Sequence, residues 1–253
     1  IDVSLRPAPG VHLGVRRSPV RSAAAAVEIA KAAQRLDGVA VRGVMAYEAH
    51  VAGLPDHVPG QRLLDPARRW IKSQSVTLAA QRRAEVVAAL RSIGVEIELV
   101  NGGGTGSVAS TSADGTCTEV TAGSGFFCPT LFDHYRDLDL RPAAFFALPV
   151  VRRSDAGFVT CGFGGFIASG PPASDRAPTV HRPRGATPLG MEGFGEVQTP
   201  FQLNASAPDL ALGDPVVCRH AKAGELLTHF QSALLFKGGE VVGEAATYRR
   251  FFG

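Results

Sequence analysis

A glycine-rich segment, Val100–Ser110 (VNGGGTGSVAS), is the stretch of the 253-residue chain best suited to holding a small anion. Glycines let the backbone approach a ligand closely and leave consecutive N–H groups free to point at it. The segment matches neither of two common phosphate motifs, because a P-loop needs lysine and a dinucleotide fingerprint needs glycine where Ser107 stands. The composition therefore favours a phosphate site of another kind, with an ordinary turn as the alternative.

The composition narrows the class of protein further. At 45% hydrophobic residues the chain can bury a substantial core, and its net charge of +3 is scattered rather than striped, which does not indicate nucleic-acid binding. No apolar stretch reaches the roughly 18 residues of a membrane span. The four cysteines lack the CxxC spacing of zinc ribbons and do not form a disulfide pattern. These features predict a globular protein of the reducing cytoplasm.

The first part of the chain alternates strand-like and helix-like runs, with the glycine-rich segment at the end of one strand. Predicted strands are Ile1–Arg6, Val39–Glu48, Val95–Gly103 and Thr118–Gly125. Predicted helices are Ser22–Leu36, with Ile29 on its inner face, and Gln74–Gly94, which Gly94 ends. Alternating units of this kind predict a parallel sheet.

The composition changes near Pro142. Short β-rich runs separated by Pro/Gly-rich turns follow, and Ser169–Gly195 is interpreted as a long loop. The sequence thus predicts an α/β domain over residues 1–140 and an all-β domain over residues 141–253.

Several motifs, in order, resemble the pyridoxal-phosphate enzymes of the alanine-racemase type (fold type III). The resemblance is strongest to the D-threonine aldolase and D-serine dehydratase group, in its amino acid deaminase/aldolase branch. It covers nearly the whole chain and is carried by VHLGVRR, GVMAYEAHVAG, ELVNGGGTGS, TEVTAGSGFFCPTLFDHY, GEVQTPF and GDPVVCRHAKAGEL. It implies a TIM-type barrel that binds pyridoxal 5′-phosphate (PLP), a C-terminal β domain at the barrel mouth, and a homodimer.

The resemblance also assigns residues to the cofactor. In such barrels the phosphate sits on the loops after the last two strands. These loops would offer backbone N–H groups and hydroxyls of Gly103, Gly104, Thr105, Gly123, Ser124 and Gly125. Tyr47 would contact the cofactor ring or the substrate, with a core aromatic as the alternative. His12 stands where relatives carry an arginine near the pyridine nitrogen, with a solvent-facing histidine as the alternative. His50 is interpreted as a loop residue and Glu48 as a partner of a nearby arginine.

The family's Schiff-base lysine, at the end of the first barrel strand, has no counterpart here. The four lysines, Lys31, Lys72, Lys222 and Lys237, follow no early barrel strand. The four predicted strands correspond to the family's last four, so we expect the C-terminal half of a (β/α)8 barrel followed by a β domain, with on the order of 125 residues missing in front. The start at Ile1 and the ending TYRRFFG agree with this expectation of a fragment.

A metal site is the second departure. Relatives bind a divalent ion through a His-x-Cys or His-x-Asp pair, and the residues in that place are His220, Ala221 and Lys222. An ammonium has no lone pair for a metal. We therefore expect no metal, with two interpretations of Lys222 left open: it supplies the positive charge that the ion would give, or it is a surface residue.

Together these observations predict a PLP-dependent lyase acting at Cα of a small, D-configured hydroxy amino acid, by aldol cleavage or deamination. Tyr47, His220 and Lys222 are its candidate catalytic residues. Two alternatives remain, a fragment or remnant without catalytic activity and an amino acid racemase, which would need a second base that the sequence does not identify.

Overall fold

The computed structural model describes residues 1–58, 60–170 and 174–248, which form two compact units. The first unit comprises residues 1–123 and 134–139, and the second comprises residues 124–133 and 140–253. Each unit is therefore assembled from two separate stretches of the chain. The domain boundary between residues 140 and 141 stays a prediction.

The first unit contains a three-stranded parallel sheet in the order β1-β2-β3 and the helices around it. Its strands and helices are α1 Ala23–Gln34, β1 Gly43–Ala46, α2 Ala49–Ala52, α3 Asp65–Ser92, β2 Leu99–Gly102, α4 Val108–Ser112 and β3 Glu119–Val120. Short 3-10 turns cover Arg62–Leu64, Thr105–Ser107, Gly123–Phe126 and Thr130–His134. Because the strands are parallel, the residues after Ala46, Gly102 and Val120 leave the sheet at one edge.

Apolar side chains join the helices to the sheet. Ala26 and Ala30 of α1 and Val86 and Leu90 of α3 pack with Val100 of β2 in one buried cluster. Helix α3 begins nine residues before its predicted start, with a proline in its first turn, where the missing N–H costs nothing. Gly94 follows the C-cap with φ of +79°, so the predicted end is confirmed.

The strand predicted at the start of the chain and the buried position predicted for Ile29 are wrong. Ile1–Arg6 is not a strand, because the Asp2 carboxylate accepts a hydrogen bond from the Ser4 N–H (2.9 Å), a local bond that competes with strand pairing. Only an isolated bridge joins Leu5 to Leu13. Ile29 is 53% exposed, because Ala26 and Ala30 form the buried face of α1.

The second unit contains a six-stranded antiparallel sheet in the order β6-β9-β4-β5-β8-β7 and a separate hairpin, β10-β11. The strands are β4 Phe145–Arg152, β5 Phe158–Gly162, β6 Thr179–Arg182, β7 Ala186–Pro188, β8 Gln198–Leu203, β9 Pro215–Arg219, β10 Ser232–Lys237 and β11 Glu240–Ala246. Alternate residues of β4 are buried, and they pack with Phe201 and Val216 in the core of this sheet. The predicted β-rich character of this region is confirmed.

The prediction of one long loop over Ser169–Gly195 is wrong for two short stretches of it, Thr179–Arg182 and Ala186–Pro188. Strands β6 and β7 lie within it, because β9 and β8 supply backbone partners that the local composition does not reveal. Residues 171–173 of that stretch lie outside the described residues. Among the residues that the structure describes, no helix is both long enough and apolar enough to cross a membrane.

Candidate functional site

The glycine-rich loop leaves the sheet at the end of β2 and turns at once into a short helix. Gly103 has φ of +88°, a conformation that favours glycine, and Thr105–Ser107 form a 3-10 turn before α4. The hydroxyl of Ser107 accepts a hydrogen bond from the Gly104 N–H (3.1 Å), and the Ser107 N–H donates to the Gly104 carbonyl (2.9 Å). The loop is thus closed by its own hydrogen bonds.

The buried carboxylate of Glu48 fixes the conformation of the loop through hydrogen bonds. It lies two residues after β1 and is 1% exposed. Its oxygens accept hydrogen bonds from the Gly103 N–H (3.2 Å), the Ser107 hydroxyl (2.9 Å), the Thr111 hydroxyl and the Arg83 guanidinium (3.0 Å). A carboxylate out of contact with water needs such partners, and here all of them come from the loop and its neighbouring helices.

Arg83 continues this arrangement into α3. Its other terminal nitrogen donates to the Asp114 carboxylate (2.7 Å), and its side chain is 3% exposed. The prediction that Glu48 pairs with an arginine is confirmed. The sequence offered a signal for the partner, since Arg83 lies three residues before the buried Val86 and four after the buried Ala79, on the inward face of the helix.

Tyr47 packs directly against the loop. A Cβ added to Gly104 would lie 3.0 Å from Cε2 of Tyr47 and 2.8 Å from Cβ of Ala52, so only glycine allows this approach. Burial raises the pKa of Tyr47; the Arg17 charge opposes the shift and the Glu48 charge adds to it. Tyr47 is therefore a neutral phenol beside the glycine-rich loop.

The loop also meets the end of β3. The Thr105 hydroxyl donates to the carbonyl of Ala122 (3.3 Å), and a Cβ on Gly103 would lie 3.0 Å from Cγ1 of Val120. The next residues, Gly123–Phe126, form a 3-10 turn that includes Ser124 and Gly125. A Cβ on Gly123 would have no neighbour within 4 Å. The structure thus brings Gly103, Gly104 and Thr105 to the turn at Gly123, which is open on one side.

Besides His134, two histidines of the first unit have buried ring nitrogens without a hydrogen-bond partner in the described part of the chain. They are both nitrogens of His12 and Nε2 of His50. Burial lowers the pKa of His50, Glu48 and Asp2 oppose that shift, and His12 adds to it. His50 is 8% exposed and lies in α2, so its interpretation as a loop residue is wrong. Its place on a turn that directly follows Glu48 was the available signal.

The second unit holds His220 and Lys222 after β9. His220 is 3% exposed; burial lowers its pKa, while the carbonyls of Ala223 and Ala144 oppose the shift, and its Nδ1 makes no hydrogen bond within the described ranges. The Lys222 ammonium donates to the carbonyl (3.2 Å) and hydroxyl (3.0 Å) of Ser169. Lys222 is thus tied to a neighbouring loop.

These residues do not fit a divalent metal ion. No group of three His, Cys, Asp or Glu side chains suited to a metal occurs in residues 1–58, 60–170 and 174–248. Beside the imidazole of His220, Lys222 offers donors and no lone pair.

The four lysines occupy helices and loops. Lys31 on α1 pairs with Glu28 (3.4 Å), and Lys72 on α3 pairs with the Asp56 carboxylate (2.8 Å). Lys237 ends β10, and Lys222 follows β9 of the antiparallel sheet. None of them follows a strand of the parallel sheet.

The four cysteines are free thiols, as the sequence predicts. They are Cys117, Cys128, Cys161 and Cys218, and all but Cys117 are buried.

Comparison with known proteins confirms the resemblance inferred from the sequence. No family model matches the chain. Over 129 residues the chain is 30% identical to a 3-hydroxy-D-aspartate aldolase of Paracoccus denitrificans (strain Pd 1222), a match that covers 51% of this chain and 30% of that protein.

Solved structures with similar folds cover nearly the whole chain. A D-threonine aldolase from Filomicrobium marinum superposes with a TM-score of 0.76 at 20% identity, over 95% of this chain and 61% of that one. A D-threo-3-hydroxyaspartate dehydratase in its metal-free form gives 0.63 at 17% identity, over 97% and 64%. An alanine racemase from Bacillus anthracis gives 0.52 at 13%, over 97% and 65%. The chain therefore has the alanine-racemase type of fold, and spans less than two thirds of the length of these relatives.

Proposed function

We propose that this chain carries the cofactor-phosphate site of a PLP-dependent lyase that acts on a small, D-configured hydroxy amino acid. The observation that supports this most is the glycine-rich loop after β2, which Glu48 fixes from below and against which Tyr47 packs. A phosphate bound at that edge of a parallel sheet is usual for barrels of this kind.

The loop residues fit the phosphate group. The N–H groups of Gly103 and Gly104 donate to Glu48 and Ser107, and the Thr105 hydroxyl donates to Ala122, so these three residues would line one side of the phosphate. The N–H groups for it would come from the turn after β3, at Gly123, Ser124 and Gly125. Gly103 and Gly104 lack the Cβ that would collide with Val120 and Tyr47, so the loop can pack closely against these two side chains. The neutral phenol of Tyr47 would pack on the cofactor ring, and the ring nitrogens of His12, which have no hydrogen-bond partner among the described residues, would face its polar edge.

PLP, when bound, supplies an electron sink for the pair of electrons left at Cα. The work left to this chain is to hold the phosphate, to keep the ring oriented and to place the substrate. Glu48 contributes by holding the loop in one conformation, which prepares the site before the ligand arrives.

The substrate class follows from the names of the relatives. They include a 3-hydroxy-D-aspartate aldolase, a D-threonine aldolase and a D-threo-3-hydroxyaspartate dehydratase, all acting on small hydroxy amino acids of D configuration. Aldol cleavage breaks the Cα–Cβ bond, whereas deamination breaks the Cα–H bond and then expels the β-hydroxyl as water. We propose that this chain serves one of these two reactions, in a cytoplasmic homodimer.

The second unit would serve the substrate without a metal ion. We propose that Lys222 supplies the positive charge that a divalent ion would give, polarising the substrate hydroxyl or carboxylate. Its position next to the buried His220 supports this proposal, and its bonds to Ser169 would hold the ammonium in place.

A second candidate function rests on the lysines. Since none of the four follows a strand of the parallel sheet, we propose that the lysine that relatives use to bind PLP covalently is not among them. A chain without that lysine would bind the cofactor and not turn substrate over. The upstream coding sequence decides between the two, because an in-frame strand ending in lysine favours the enzyme and a stop codon favours the non-catalytic form.

The phosphate assignment is tested with pyridoxine 5′-phosphate, which cannot react with an amine and therefore measures binding to the loop alone. We expect the chain to bind it in equilibrium dialysis and to bind unphosphorylated pyridoxine at least tenfold more weakly. Gly123→Asp adds a negative charge where a Cβ meets nothing within 4 Å, so it should weaken binding at least tenfold without a steric clash.

The matched control is Gly115→Asp. A Cβ at Gly115 also has no neighbour within 4 Å, and this residue lies outside the two loops proposed to bind the phosphate. It should bind as the parent does. Equal binding by the parent and the Gly123→Asp variant would remove the phosphate assignment.

A further inference from the structure

A cleft of about 380 Å³ lies in the first unit, beside the N-terminal half of α3. Its walls are Arg69, Lys72 and Val76 of that helix, Gly106–Ser110 and residues 135–138. It differs from the proposed cofactor site, whose residues Tyr47, Gly103 and Gly104 do not line it.

One side of the cleft is built on a fixed ion pair. The Lys72 ammonium donates to the Asp56 carboxylate (2.8 Å) and lies 4.8 Å from the ring centroid of Tyr135. Burial opposes the charged form of Asp56, but hydrogen bonds from Lys72 and the Arg136 N–H (3.0 Å) hold its pKa below the usual value. These two charges therefore satisfy each other and define a rigid base.

The remaining cations of the cleft, Arg69 and Arg136, form no ion pair at bonding distance with a described residue, although the Arg136 charge also helps to lower the pKa of Asp56. The side chains of Arg69 and Arg136 make no hydrogen bond and no ion pair at salt-bridge distance with any other residue that the structure describes. Asp137 is the one other acidic residue of the lining, which leaves an excess of one positive charge. Guanidinium groups bind carboxylates and phosphates through two parallel hydrogen bonds, so two of them in one cleft suit an oxyanion.

The size and the apolar part of the cleft indicate an organic ligand. Val51, Val76, Val108 and Leu138 line it together with the charged groups. A volume of about 380 Å³ lies at the lower end of the range for small-molecule sites, of roughly 300–1,000 Å³. An inorganic ion would leave most of that space unfilled.

We propose that this cleft binds a small organic oxyanion, a phosphate ester or a dicarboxylate, through Arg69 and Arg136. The apolar residues contact the carbon skeleton of the ligand. Asp56 neutralises the charge of Lys72, so the two arginines bind the oxyanion. The inference is independent of PLP binding at the glycine-rich loop.

The test uses glycerol 3-phosphate and glutarate as probes, with glycerol as the neutral control. Binding is measured by isothermal titration calorimetry. We expect saturable binding of at least one anion and none of glycerol. Which anion binds separates the phosphate source from the carboxylate source, and higher ionic strength should weaken binding.

Arg69→Gln and Arg136→Gln should each weaken binding at least tenfold, with thermal unfolding midpoints little changed because neither side chain makes a hydrogen bond to a residue that the structure describes. Arg91→Gln on the same helix, outside the cleft, should leave it unchanged. Gly123→Asp, which removes the proposed cofactor phosphate site, should also leave it unchanged. The proposal is overturned if neither anion binds, if the two arginine variants bind as the parent does, or if Gly123→Asp removes the binding.

Discussion

Replacing Glu48 by glutamine should strongly destabilise the first unit, because one carboxylate there satisfies four donors. Glutamine keeps the shape but removes the charge that faces Arg83, whose side chain is 3% exposed. Removing one partner of a buried pair typically costs 3–5 kcal/mol. Arg83 retains Asp114 at 2.7 Å, so we expect a loss near the lower end, about 3 kcal/mol.

The assay is urea unfolding at pH 7, and the matched control is Glu98→Gln. Glu98 also pairs with an arginine, Arg42, but the two side chains are 60% and 61% exposed. Such a pair contributes little, so the control should lose about 0.5 kcal/mol or less. A further variant, Thr111→Val, removes a single donor and should cost about 1 kcal/mol. If Glu48→Gln lost no more than Glu98→Gln, the carboxylate would not be holding the loop.

Three further predictions concern other parts of the chain. Asp56→Asn should lower the free energy of unfolding by about 2–3 kcal/mol at pH 7. Because the pKa of Asp56 is lowered in the folded protein, the difference in free energy of unfolding between parent and variant should stay constant above about pH 5 and shrink below about pH 4 in urea titrations. Burial raises the pKa of Cys161 to about 11 and of Cys218 to about 12, so mass spectrometry should find neither alkylated by iodoacetamide at pH 8 until urea unfolds the chain, and rapid native labelling would contradict this. In a preparation that turns substrate over, Lys222→Met should lower turnover by about 10²-fold and chelators should leave the parent active, whereas activity restored by manganese or zinc after chelation would refute the replacement of the ion.

The sequence predicted those parts of the fold that local signals encode. Gly94 correctly predicts the end of α3, and the apolar run before the glycine-rich loop correctly predicts a strand there, although α3 begins nine residues earlier than predicted and β2 is shorter than predicted. Strands β6 and β7 were missed because their stability comes from β9 and β8, which lie far away in the sequence. Ile1–Arg6 was wrongly predicted to be a strand because its alternating apolar residues suggest one, whereas the Ser4 N–H donates a hydrogen bond to the Asp2 carboxylate instead of to a neighbouring strand.

The candidate site divides in the same way. The glycine composition of the loop was enough to predict a phosphate site, and that site stays a prediction. The support beneath it could not be predicted in full, because Glu48, Arg83 and Asp114 come from three separate elements and meet only in the folded chain. A charged residue on the buried face of a helix was the one hint of it in the sequence.

The exchange of segments between the two units has a consequence for anyone who wishes to separate them. Residues 124–133 precede residues 134–139 in the chain, yet they belong to the later unit. A polypeptide that begins after residue 140 would lack two hydrogen bonds of the second unit, from the N–H groups of Thr130 and Leu131 to the carbonyls of His220 and Ala221. It would also lack Asp133, which forms an ion pair with Arg219. A protease that nicks the chain near residue 140 should therefore leave two polypeptides that stay together until denaturant is added.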